Sequence, residues 1–187
     1  MPRPAHRPSQ RGDIIEAVLG DLRREGSLAL SLDSAARAAG VSKAGLMYHF
    51  TSKEALVTAL VDHLVDAYEE RLTELAGAGS PQECRPGERI AAYVRWSLTA
   101  QHDTADLVML SDPRLWDQMT RRWSQRLLPW LHLPQDLPEP QRSRLHAARL
   151  LADGCWFADA SGFLPVPVAD RAAVLTTALA LLDGEPG

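Results

Sequence analysis

The sequence predicts an all-α protein: a three-helix, helix-turn-helix head followed by a helical-bundle body, about nine helices in all. Three observations predict it. The stretch from Ser31 to Lys53 holds two short amphipathic segments around a glycine corner. Elsewhere apolar residues recur every three or four positions, and no segment alternates with the period of two that a strand needs. Residues 76–88, rich in Gly, Ser and Pro, form the clearest break in the chain. The expected head is residues 1–60 and the expected body residues 61–187.

Composition narrows the function. The 187 residues are enough for one large domain or two small ones with a sizeable core. No apolar run approaches the length needed to cross a bilayer, and the Pro- and Arg-rich start lacks the apolar segment of a secretion signal. Together these place the chain in the cytoplasm. The two cysteines, Cys84 and Cys155, have no metal-type spacing and are expected to stay reduced. Net charge is −4, yet bases slightly outnumber acids through Leu60. Local charge, not the overall balance, governs contact with nucleic acid.

Residues 1–12 carry Arg3, Arg7 and Arg11 and no acid. Such an arm either reaches phosphates or a minor groove, or remains a solvated tail. Asp13 is expected to cap the first helix, in which Ile14, Val18 and Leu22 recur every fourth residue, with Gly26 ending it. Ser31 is a good N-cap for the second helix, whose inner face is Leu32, Ala35, Ala36 and Ala39. Gly40 stands where a left-handed residue is needed, Val41 plugs the corner, and Ser42 caps the third helix. Leu46 and Phe50 point that helix inward, while Lys43, Ala44, Met47 and His49 share its other face.

This pattern is the signature of a helix-turn-helix, whose second helix enters the major groove by its N-terminal end. Ala44 and Gly45 are small enough for close approach to bases. Lys43 supplies a donor for a guanine edge or a phosphate. Tyr48, His49 and Lys53 suit flanking phosphates, which set register without reading sequence.

Residues 14–60 resemble the DNA-binding domain of the TetR family of bacterial repressors. Ile14-Ile15-Glu16-Ala17, Gly26, the run from Ala36 to Ser42, Leu46, Phe50 and Ser52-Lys53-Glu54-Ala55-Leu56 carry the likeness. The resemblance implies DNA contact by Ser42, Lys43, Ala44 and Gly45, and phosphate contact by Ser31, His49 and Lys53. The family commonly places a phosphate-binding Tyr where this chain has Met47, with Tyr48 one position on.

A fourth helix from Ser52 carries two apolar stripes, Leu56-Leu60-Leu64-Ala67 and Val57-Val61-Val65-Tyr68. Two stripes need two surfaces, as in a helix joining head to body; in the family this helix is the lever between them. After the 76–88 loop come a helix over residues 87–101 with Ile90, Val94 and Leu98 inward, and a short one capped by Asp103. Another is capped by Asp112 with Pro113 first, bearing Leu115, Met119, Trp123 and Leu127. Pro129, Pro134, Pro138 and Pro140 are expected to break the next stretch. A helix over residues 141–162 and a last one bearing Ala172, Leu175, Leu179 and Leu182 close the chain. The last is apolar nearly all round, which calls for burial on both sides and hence a subunit partner. The resemblance likewise implies a homodimer through the last two helices.

All five tryptophans lie in the body. Aromatic and Met side chains around a concave site suit an apolar ligand, although a single Trp is more often ordinary core. The candidate lining is Trp96, Met109, Trp116, Met119, Trp123 and Trp156, with His102 and Asp153 as polar anchors; the family houses an inducer between its middle helices. His63 and Asp66 lie one turn apart, but two ligands without a third read as a solvated patch. No phosphate-cradling loop, nucleophile motif or metal constellation appears, so neither catalysis nor a cofactor is expected. The reading is a dimeric repressor that binds a palindromic operator in double-stranded DNA and is released by a small apolar effector. The rivals are a helical small-molecule binding protein or enzyme with a vestigial head, and a regulator controlled by a protein partner.

Overall fold

The computed structural model describes residues 10–26 and 29–183, the Met109 side chain excepted. Described residues are helical or connecting, with no strand among them. Eight α-helices run in order: α1 (Gln10–Glu25), α2 (Leu32–Ala38), α3 (Lys43–His49), α4 (Lys53–Ala76), α5 (Pro86–Thr99), α6 (Trp116–Leu131), α7 (Glu139–Ser161) and α8 (Arg171–Asp183). The chain divides into two compact units. The first joins the chain up to His63 with Thr104–Met119; the second joins Leu64–Asp103 with the chain from Thr120 onward.

In the first unit α1 buries Ile14, Ile15, Val18, Leu19 and Leu22, the fourfold stripe expected of it. The helix starts at Gln10, so Asp13 sits within its first turn instead of capping it. There the carboxylate still favours the positive helix end. Helices α2 and α3 close the head around Leu46 and Phe50, which are 0% and 1% exposed. Both short helices are too brief to persist alone, so their caps and this shared core hold them. The segment after Asp103 is a 3-10 helix, Thr104–Leu110, packed on α1 through buried Ala105, Leu107 and Val108. Asp112 caps a second 3-10 turn, Pro113–Leu115, which runs directly into α6. The expected count of about nine helices thus becomes eight, because these two stretches wind as the tighter helix that suits short connectors.

In the second unit α5, α7 and α8 pack on one another. Pro86 takes the first position of α5, and Glu88 returns its carboxylate to the Arg85 N–H at 2.7 Å. Pro129 does not break the chain, contrary to expectation: α6 continues to Leu131. Proline withholds one hydrogen bond and crowds the preceding turn. Here the helix is within one turn of its end, and the Arg89 guanidinium donates to the carbonyls of Pro129 and His132. On α4, Leu56, Val57, Leu60, Val61, Leu64, Val65, Tyr68 and Leu72 are all buried, so both stripes are covered, although Ala67 is exposed. On α8 only Ala178 is buried, while Leu175, Leu179, Leu181 and Leu182 remain half-exposed. Among the described residues no helix is long and apolar enough to cross a membrane.

Candidate nucleic-acid interface and apolar cavity

The outer face of α3 is set by its two corners. Ser31 and Ser34 exchange side chain and backbone bonds at 3.0 and 2.9 Å, a complete capping box for α2. Gly40 has φ +65°, where a side chain would be strained. Ser42 Oγ accepts from the Gly45 N–H at 3.0 Å. A Cβ on Gly45 would stand 3.3 Å from that same Oγ, so glycine leaves the cap undistorted.

These corners leave Ser42, Lys43, Ala44, Met47 and Tyr48 exposed on one short helix, with Gly45 and His49 half-buried beside them. Tyr48 stands 85% exposed and meets His49 edge to face at 5.1 Å. An aromatic side chain so exposed costs apolar hydration that the fold does not recover, which suits a surface meant to be covered. Lys43 Nζ lies 3.0 Å from Asp33 Oδ2, both side chains more than half exposed. A pair of that kind is worth about 0–1 kcal/mol, so a stronger anion readily takes the lysine. Lys53 instead contacts Asp112 at 3.2 Å, where the carboxylate side chain is 6% exposed and also holds Arg114. Those hydrogen bonds hold the Asp112 carboxyl well below the ordinary aspartate range. Ser31 is exposed at the start of α2. The predicted contact residues therefore all belong to the first unit. Of the basic arm, Arg11 lies over the Phe50 ring at 4.9 Å, whereas Arg3 and Arg7 fall outside the described residues.

The candidate ligand residues are more scattered. Five rings of the second unit touch in series: Tyr93 with Trp96 at 5.4 Å, Trp96 with Tyr68 at 4.7 Å, Tyr68 with Trp123 at 5.5 Å, and Trp123 with Trp156 at 5.8 Å. Beside this run lies an open cavity of about 500 Å³, lined by Tyr93, Trp123, Leu127, Arg149, Asp153, Trp156 and their neighbours. Of the predicted set it gathers Trp123, Trp156 and Asp153. Trp96 is buried in the ring series, edge to face with His102 at 4.6 Å. His102 borders a different hollow, with Asp159 and Arg171. Trp116 is half exposed and Met119 fully buried, and both belong to the first unit. The Met109 side chain lies outside the described residues.

Tyr93 and Arg149 are functional candidates that sequence reasoning missed. Tyr93 donates its hydroxyl to Asp153 Oδ1 at 2.8 Å across 60 positions. Burial and the neighbouring Asp153 carboxylate push the Tyr93 phenol well up, so it stays a donor. Arg149 donates to Asp153 Oδ2. It stands four residues before Asp153 on α7, a spacing that flags a same-face pair. His63 pairs with Glu16 and Asp66 with Arg126, so the two share no ligand role. Among the described residues no cluster of three or more His, Cys, Asp or Glu side chains is arranged to hold a metal. Burial pushes the Cys155 thiol up, as befits a core residue.

The family comparisons match both parts of the chain. Residues 14–60 match the model of bacterial regulatory proteins of the tetR family, and residues 87–183 match the tetracyclin repressor-like C-terminal domain, which alone spans more than half of the chain. Among named relatives, the HTH-type transcriptional regulator BetI of Rhizobium meliloti is 32% identical over 108 residues, covering 58% of this chain and 51% of BetI. The chain thus spans about half the length of the BetI relatives it matches. Among solved structures, a TetR-family transcriptional regulator from Rhodococcus superposes with a TM-score of 0.60 at 17% identity, over 94% of this chain and 99% of that one. The multidrug binding protein EbrR, complexed with imidazole, superposes with a TM-score of 0.61 at 16% identity, over 97% of this chain and 98% of EbrR. These two likenesses concern the fold.

Proposed function

This chain belongs to the TetR family of bacterial regulatory proteins, a non-enzymatic DNA-binding transcriptional regulator, and on that premise we propose that it is a ligand-responsive repressor. Residues 1–60 bind a palindromic operator in double-stranded DNA, and residues 61–187 bind a small effector and form the homodimer. The observation that carries the DNA reading is the exposed outer face of α3, capped at Ser42 and presenting Lys43, Ala44, Met47 and Tyr48. Lys43 exchanges Asp33 for a base edge or phosphate, and Ser31, His49 and Lys53 hold phosphates around it.

The dimer reading is supported by α7 and α8. Leu150 and Phe157 on α7 are 58% and 47% exposed, and α8 leaves its apolar side chains half-covered. A two-fold assembly of recognition helices requires an operator with two half-sites one helical turn or a multiple apart. The effector reading is supported by the aromatic-walled cavity of the second unit. By linkage, an effector that lowers DNA affinity has its own affinity lowered by DNA through the same factor.

The test is binding to the DNA just upstream of the protein's own gene, at two salt concentrations, against unrelated DNA. Tight, specific binding is expected. Lys43→Ala should lower it by about 1–3 kcal/mol if the lysine reads a guanine, or reduce the salt slope by about one if it holds a phosphate. Binding equally weak on both DNAs, with the same salt dependence in the variant, would overturn the reading for that promoter and send the search to genome-wide selection of bound fragments.

A further inference from the structure

The cavity of the second unit has an unequal supply of hydrogen-bonding groups. Its carboxylate is half engaged: Asp153 Oδ1 accepts the Tyr93 hydroxyl and Oδ2 accepts from Arg149, out of about four lone-pair positions. Its guanidinium is engaged less. A guanidinium carries five N–H groups in a fork, and Arg149 places one of them on Asp153. The remaining wall is hydrocarbon and aromatic, with Trp123, Leu127 and Phe157.

From this we infer that the effector of the cavity is an apolar molecule with an anionic carboxylate head, held chiefly by Arg149. The inference rests on reading the cavity as the effector site and names the chemical class it takes. A carboxylate matches the guanidinium fork in shape and charge. A cation would face a carboxylate already bonded on both oxygens and an arginine of its own sign. The hydrocarbon portion lies against the aromatic wall, where removal from water drives binding.

Three probes with one skeleton test it on the full chain: phenylbutyrate, phenylbutanol and phenylbutylamine, titrated by calorimetry. In parallel, the tryptophan indole resonances of nitrogen-15-labelled protein are followed, with Trp123→Phe and Trp156→Phe supplying the assignments. Phenylbutyrate should bind about tenfold tighter than phenylbutylamine, since one charge-assisted fork contact separates them, and should move the Trp123 and Trp156 signals. Arg149→Met should remove the preference for the acid over the amine. Asp153→Asn frees the guanidinium and should strengthen phenylbutyrate binding. If phenylbutylamine binds as well as the acid or better while moving the same two signals, the carboxylate class is overturned and the cavity remains the effector site. If no probe moves either signal, the effector reading of the cavity falls with it. The acid-against-amine comparison uses the unmodified chain, so it decides the matter even where a variant fails to fold.

Discussion

The proposed recognition face and the proposed effector cavity are assembled at opposite sequence ranges. Around α3 the decisive bonds join residues three apart: Ser31 with Ser34, and Ser42 with Gly45. At the cavity the bond that joins two helices spans 60 positions, Tyr93 to Asp153, beside the local pair of Arg149 with Asp153; in the same unit Ser97 bonds the Ala152 carbonyl and Arg126 bonds Glu69, 55 and 57 positions apart. The surface proposed to meet DNA is shaped by local capping. The cavity proposed for the effector is lined by side chains from three helices, so it changes when one of them moves.

The largest test of this contrast is the core on which the local caps depend. Leu46 is fully buried, and Leu46→Ala should destabilise the first unit by about 2–5 kcal/mol, read by urea denaturation. The ring series lies wholly in the second unit, so the Trp signals of that unit should unfold at a higher urea concentration than the DNA-binding activity is lost. Coincident loss of both would show that the two units unfold as one and that the contrast is only geometric.

A smaller pair of substitutions compares one bond of each kind. Ser97 is fully buried and donates to the Ala152 carbonyl on α7, so Ser97→Ala removes one buried bond between helices, leaves that carbonyl its bond within α7, and should cost about 0.5–1.5 kcal/mol. Ser42→Ala removes the α3 cap and should cost about 1 kcal/mol. The functional effects should separate the two. The cap variant should lose DNA affinity while keeping effector affinity, and Ser97→Ala should do the reverse. Equal effects on both activities in either variant would erase the distinction.

The same contrast explains what could be read from the chain. Ser31, Gly40, Ser42, Leu46 and Phe50 announce themselves, because cap, corner and inner face are decided by neighbours within one or two turns. Trp123, Trp156 and Asp153 could be named as cavity residues because α6 and α7 carry obvious apolar faces. Tyr93 could not, since its role comes from a partner 60 positions away. Pro129 was misread for the same reason: the arginine that satisfies the helix end beyond it stands 40 positions earlier. Trp116 and Met119 share a helix with Trp123 at helical spacing, yet they fall in the other unit. Periodicity shows which face of a helix is apolar and is silent on which partner covers it.

Asp112 lies between these two cases and gives the smallest effect, visible only as pH changes. Its carboxylate caps the turn into α6, accepting the Arg114 backbone N–H at 3.1 Å, and it also holds the Arg114 guanidinium and Lys53. The bonds from Arg114, with Lys53 beside them, lower its pKa below that of an unfolded aspartate. A group lowered on folding contributes its stability above the unfolded value and loses it as pH falls through the folded one. The stability difference between the unmodified chain and Asp112→Asn should therefore stay constant from neutral pH down to about 5 and narrow below about 4. A difference that widens on acidification would show that the carboxyl is not held down. At neutral pH the same variant releases Lys53 and removes an acid that competes with phosphate for it. DNA affinity should then rise, by less than about tenfold for a single lysine–phosphate contact at physiological salt. If affinity falls instead, Asp112 serves to aim Lys53 at the backbone, and the pair belongs to the recognition face itself.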